Sequence, residues 1–92
     1  MVYTIGETVL DIIFKTLEDV KVKPGGSMLN TSVSLGRLGI HVGHVSTLST
    51  DKASDMLIQF LNDTGVNTKF INRNDQIKTS LALAYLNEKN NA

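Results

Sequence analysis

The chain contains no cysteine. No disulfide can staple it and no thiolate metal site can form. Charge of neither sign is in excess: nine Lys and Arg balance nine Asp and Glu, for a formal net charge of zero. A basic footprint for nucleic acid is therefore not expected. The longest apolar run falls far short of the roughly 20 residues that cross a bilayer, so no membrane segment is expected. No basic region precedes the short apolar stretch after Met1, which argues against a signal peptide and for a cytoplasmic protein. His41 and His44 lack carboxylates at metal-ligand spacing. Three apart on a strand, they face opposite sides and read as structural or surface groups. No nucleophile–base–acid arrangement is readable either.

What is present suits one small folded domain, or a piece of a larger one: 92 residues, 41% of them hydrophobic. Residues 2–5 are β-branched or aromatic and predict a buried strand ended by Gly6. Val9 with Ile12, Ile13 and Phe14, and then residues 20–23 with period-two alternation, predict two short strands with one apolar and one wet face. Such a pair forms a flap, with Lys21 and Lys23 solvating its outer face. Residues 27–38 carry Met28, Ser32, Leu35 and Leu38 at helical spacing, beside Leu29 and Val33, and Gly39 follows as a C-cap. A strand is expected over 41–48, with Val42, His44, Ser46 and Leu48 on one face. Thr50 or Asp51 can cap a second helix, whose buried face is expected at Met56, Leu57, Phe60 and Leu61 and whose end is closed by Gly65. A short strand is expected at 66–71, a polar turn at 72–75, and a strand at 79–86 that is apolar on both faces, before a frayed polar tail. Strands alternating with helices imply βαβ units and a parallel three-layer α/β architecture.

Chemistry concentrates at Pro24-Gly25-Gly26-Ser27-Met28-Leu29-Asn30. Glycine admits close approach to the main chain, and the first N–H groups of a helix lack partners within it. Two readings are open: a tight strand-to-helix turn, or a cradle for an oxygen-rich ligand. Neither a Walker A loop nor a dinucleotide fingerprint fits the glycines. Asp11 lies just past the end of the first strand, where open α/β sheets bind ligands, and its carboxylate can accept bonds from two sugar hydroxyls. Asn30, one turn into the helix, can offer an amide to the same ligand. Taken singly, Asp11 also reads as a solvated loop acid, and Asn30 as a cap or surface group.

Gly6-Glu7, Asp11, Pro24-Gly25-Gly26-Ser27 with Asn30, Leu35-Gly36-Arg37-Leu38-Gly39, Asp51, Gly65-Val66 and Thr79-Ser80 together resemble the start of the PfkB (ribokinase-like) carbohydrate kinases. The Gly-Glu opening and short flap look more like fructokinases and 2-keto-3-deoxygluconate kinases. The resemblance implies the N-terminal part of a ribokinase-like three-layer α/β sandwich with a small β lid. It implies phosphoryl transfer from ATP, with Mg2+, to a sugar hydroxyl. By position, Asp11, Gly25, Gly26 and Asn30 correspond to sugar-holding residues, and the lid suggests a homodimer. Ser49 and Ser54 stand where the family usually has glycine, so that loop is expected to be altered or strained. The family's Gly-Ala-Gly-Asp motif, with its anion hole and base, is absent from these 92 residues. The resemblance therefore implies a sugar-binding segment that is inactive alone and associates with a C-terminal part. The alternative is a non-catalytic association module, pairing through lid strands or an exposed sheet edge.

Overall fold

The computed structural model describes residues 1–85. The end of the strand expected at 79–86 and the expected frayed tail lie outside them. The elements run β1 (Val2–Ile5), β2 (Val9–Phe14), β3 (Val20–Gly25), α1 (Ser27–Arg37), β4 (Val42–Leu48), α2 (Lys52–Asp63), β5 (Ile71–Arg73) and β6 (Ser80–Tyr85). They form two sheets. The body sheet is parallel, in the order β1-β4-β5, and the lid sheet has the order β3-β2-β6. In the lid, β2 runs antiparallel to β3 and parallel to β6.

The body core lies on one face of β4. Leu29 and Val33 of α1, Val42, Leu61 of α2 and Val66 form its main cluster. A second cluster joins Leu48 and Leu57 to Leu10 of β2, so the root of the lid is packed into the body. Both helices end alike. The N–H of Ile40 bonds Leu35 O and that of Gly39 bonds Gly36 O; Val66 and Gly65 repeat the pattern on Leu61 and Asn62. This is the Schellman arrangement, with a left-handed glycine just beyond each helix.

Five details differ from the sequence expectations. Strand β1, expected to be buried, buries only Thr4; Val2, Tyr3 and Ile5 are exposed, Tyr3 and Ile5 because no described element covers their face of the sheet. Met56 is exposed, because α2 turns Leu57 and Leu61 inward and Met56 falls on the opposite side. Leu38 is exposed as well, since it is the C-cap of α1 and lies past the packed stripe. The strand expected at 66–71 is broken. Asn67 alone bridges to Gly43, and a turn closed by Ile71 N–H on Thr68 O intervenes before β5 resumes. Asn72 and Arg73, expected in a turn, therefore pair with Thr47 and Leu48. Finally, the loop holding Ser49 and the first turn of α2 holding Ser54 are unstrained: positive φ occurs at Gly26, Gly39 and Gly65 among the described residues and at no other residue type. Of the three expected layers, the described residues supply the sheet and one helical layer, and Tyr3 and Ile5 are exposed on the other face.

Candidate sugar site at the lid hinge

The Gly25-Gly26 turn joins the last lid strand to α1. Gly26 is the N-cap of α1 at φ 107° and ψ 133°, a conformation that L side chains rarely adopt. It contributes no side-chain cap, and no acidic residue occupies the first turn, so the positive end of α1 is not neutralised by its own sequence. A Cβ on Gly26 would come 2.5 Å from Glu7 O, which shows how closely the turn presses on the β1–β2 connection. Pairing places Val9 opposite Gly25 and Asp11 opposite Lys23. The Asp11 carboxylate leans diagonally over Gly25, where any Cβ would collide with it. Asn30 follows one turn into α1, its N–H bonded to Gly26 O at 3.0 Å and its side chain exposed.

Asp11, Gly25 and Gly26 thus meet at one corner, and Asn30 rises from the same helix start. The lid register sorts the flanking residues. Asp11 and Ile13 share a face with Lys21, Lys23, Ala82 and Ala84, while Ile12 and Phe14 share the other with Val20, Val22, Leu81, Leu83 and Tyr85. The flap has the expected wet and apolar faces, but its lysines stand on the Asp11 side. The only ion pair among the described residues joins Arg73 to Asp55, so Lys23 is not locked to Asp11.

Two further side-chain nodes border the corner. His44 is fully buried, with Thr4 Oγ1 2.8 Å from Nδ1 and Thr8 Oγ1 2.9 Å from Nε2. Thr8 Oγ1 also lies 3.2 Å from Ser46 Oγ. Burial is the main cause that pushes the His44 imidazole below its ordinary pKa, and a main-chain bond with Thr4 opposes it. The second node is Asp51. Its carboxylate accepts from Ser54 N–H at 2.8 Å, Thr79 N–H at 3.1 Å and the Thr79 hydroxyl at 2.5 Å. The Thr79 hydroxyl first, then the Ser54 N–H, hold the Asp51 carboxyl well below the usual carboxylate range. Ser54 Oγ is 2.9 Å from Thr79 Oγ1, and Ser49 Oγ accepts from Asp51 N–H at 3.2 Å. The two serines are thus part of this hydrogen-bond network. Between the nodes lies a 290 Å³ cleft, with residues 6–8 on one side, Ser46 and Thr47 along β4, and Ile77 and Ser80 on the other side.

Sequence reasoning offered Asp51 as an N-cap, which its bond from Ser54 N–H bears out, and His44 as a structural or surface group, but missed the threonine partners of both. For His44 a signal existed: it alternates with Val42 and Leu48 on the apolar face of its strand. Nothing local marked Thr79 as a partner of Asp51, because 28 residues separate them.

The model of the pfkB family carbohydrate kinases matches residues 1–92. An uncharacterized sugar kinase of Pyrococcus horikoshii is 29% identical over 92 residues, covering 94% of this chain and 30% of its own length. The solved fructokinase of Xylella fastidiosa with bound ATP has a TM-score of 0.87 and 30% identity, over 92% of this chain and 29% of that one. Aminoimidazole riboside kinase from Salmonella enterica, solved with aminoimidazole riboside and an ATP analogue, gives a TM-score of 0.82 at 27% identity, over 89% and 28%. This chain spans about 30% of the length of these relatives. With the family model matched from end to end and the βαβ body and β lid in place, this chain belongs to the pfkB family of carbohydrate kinases and forms part of its ribokinase-like fold.

Proposed function

We propose that this chain is the sugar-binding and lid segment, spanning 1–92, of an ATP-dependent kinase that phosphorylates a hydroxyl of a fructose- or ketodeoxygluconate-like sugar. The observation that carries the reading is the Asp11 carboxylate seated against Gly25 at the uncapped start of α1. In this reading Asp11 accepts hydrogen bonds from two sugar hydroxyls. Gly25 and Gly26 let the sugar reach the main chain, and Asn30 adds an amide from the first turn. The Asp11 face of the lid closes over the sugar and excludes water, so that the sugar and not solvent accepts the phosphoryl group. The ligands of the Salmonella and Xylella kinases, a riboside and ATP, support the substrate classes.

Among the described residues no group of three His, Cys, Asp or Glu side chains is placed to hold a metal ion. ATP, Mg2+, the anion hole and the catalytic base are assigned by family resemblance to other parts of the whole protein. No helix of the described residues is long and apolar enough to cross a membrane, and the whole kinase is proposed to be cytoplasmic. In the whole protein, Asp11→Ala should raise the sugar KM by at least about 150-fold, the worth of two hydrogen bonds to a charged group at the low end of their range. An unchanged KM for every phosphorylated sugar would remove Asp11 from the site. The purified 92-residue chain should transfer no phosphoryl group, and sugar-dependent ATP turnover by it would overturn the segment reading.

A second reading rests on the apolar lid face. Val20, Val22, Leu81, Leu83 and Tyr85 are all exposed on it. This face supports pairing between lids, either as the dimer contact of the kinase or as the whole role of an association module.

A further inference from the structure

The lid joins the body at three places: the β1–β2 connection, the Gly25-Gly26 turn, and the connection into β6. The first and third each carry a polar clasp. At the first, Thr8 immediately precedes β2 and is held by buried His44 on β4. At the third, Thr79 immediately precedes β6 and is held by Asp51 at the start of α2 through both its N–H and its hydroxyl. The clasps converge. Three residues beyond Thr8 stands Asp11, and three beyond Thr79 stands Ala82, the residue paired with Asp11 across the β2–β6 ladder.

We propose that Asp51 and His44 are positioning residues, which set the place of Asp11 through Thr79 and Thr8. Each threonine is grasped by a group on the rigid body, so the lid strands leave the body at a fixed angle from two sides. Each clasp is also satisfied within itself. A neutral imidazole offers one donor and one acceptor, and the Thr8 hydroxyl can donate to one neighbour while accepting from the other, with Ser46 completing the chain. Asp51 spends one carboxylate oxygen on Ser54 N–H and the Thr79 hydroxyl, and the other on Thr79 N–H. Ser54 adds a bond that a glycine could not make, so the serine strengthens the clasp at a site where the family usually has no side chain. Beneath both clasps, Leu10 packed on Leu48 and Leu57 gives the lid an apolar foot. The foot fixes depth but not direction, because dispersion contacts are non-directional; the hydrogen bonds supply the direction.

The structural part of the inference stands on these bonds alone, and its catalytic consequence rests on the reading of Asp11 as a sugar ligand. The test is hydrogen exchange on the whole protein with Thr79→Val, which keeps the shape and removes the hydroxyl. The amides of 80–85 and 9–14 should exchange about tenfold faster, the worth of one lost hydrogen bond, with α1 and α2 unchanged. Thr79→Ser should restore the original rates. Unchanged lid exchange, or an acceleration spread evenly over lid and helices, would overturn the clasp. Kinetics supply the second arm. Asp51→Asn and Thr79→Val should raise the sugar KM but not the ATP KM, and should increase ATP hydrolysed per sugar phosphorylated as water enters a loosened lid. A localised exchange effect with an unchanged sugar KM and unchanged coupling would overturn the positioning role. If the whole protein phosphorylates no sugar, the proposed function fails, and the exchange experiment still decides the clasp.

Discussion

A methyl group at residue 25 would occupy the place of the Asp11 carboxylate. Gly25 is therefore needed for what lies above it, whereas Gly26 is needed both for its own backbone angle and for the close approach of the Glu7 carbonyl. Gly25→Ala should displace Asp11, raise the sugar KM of the whole protein, and cost about 1–3 kcal/mol of stability from overpacking, as read by urea unfolding. A second residue-scale prediction concerns acid. His44 and Asp51 both have folded-state pKa values depressed below those of the unfolded chain. The native state then binds each proton less readily than the unfolded chain does. Each contribution is fully present above the unfolded value and is lost as pH falls through the folded one. Stability should be level above pH 7, begin to fall below the His44 reference of 6.5, and fall again below the Asp51 reference of 3.8. Urea midpoints across pH should show the upper decline flattened in His44→Gln and the lower one in Asp51→Asn. An upper decline that persists in His44→Gln would assign it elsewhere.

Among the elements, α2 carries more than its amphipathic pattern suggests. Its N-cap Asp51 reaches Thr79, its Leu57 supports Leu10 of the lid, and its Leu61 closes the main core. Leu57→Ala should cost about 2–5 kcal/mol in chemical unfolding, with the lid strand β2 losing exchange protection before α1 does. A cost under about 0.5 kcal/mol, the range of surface changes, would show that the lid foot does not depend on it. Strand β5 makes a different point. Asn72 and Arg73 carry turn-like chemistry, yet they pair with β4, because Arg73 is anchored by Ser49 O at 2.7 Å and Asp55 at 2.6 Å. Tertiary partners here outweigh local preference.

For the molecule as a whole, the described residues group exposed apolar side chains on the apolar lid face and on the uncovered face of the body sheet at Tyr3 and Ile5, while others, such as Leu38 and Met56, stand apart. Exposed patches of this kind favour association. The purified 92-residue chain should run above monomer mass in gel filtration with light scattering, and Leu83→Lys should lower that mass if the lid face is the contact. A folded, monodisperse monomer would count against association through either surface.

The sequence alone determined most of the regular elements, β5 excepted, and pointed to one candidate corner. Its periodicities placed α1 and β4, its glycines placed both helix ends, and its resemblance to the family grouped Asp11, Gly25, Gly26 and Asn30 into one candidate locus. These signals are local: a helix period, a strand alternation or a backbone angle is set within a few residues. Only the tertiary structure decided that His44 is a buried link and no surface group, that Met56 and Leu38 face solvent, that the lysines share the Asp11 face, and that Asp51 meets Thr79. The two helix positions depend on how α1 ends and which side of α2 packs inward, and the others on strand register or on contacts across 28 to 40 residues, which no local pattern encodes.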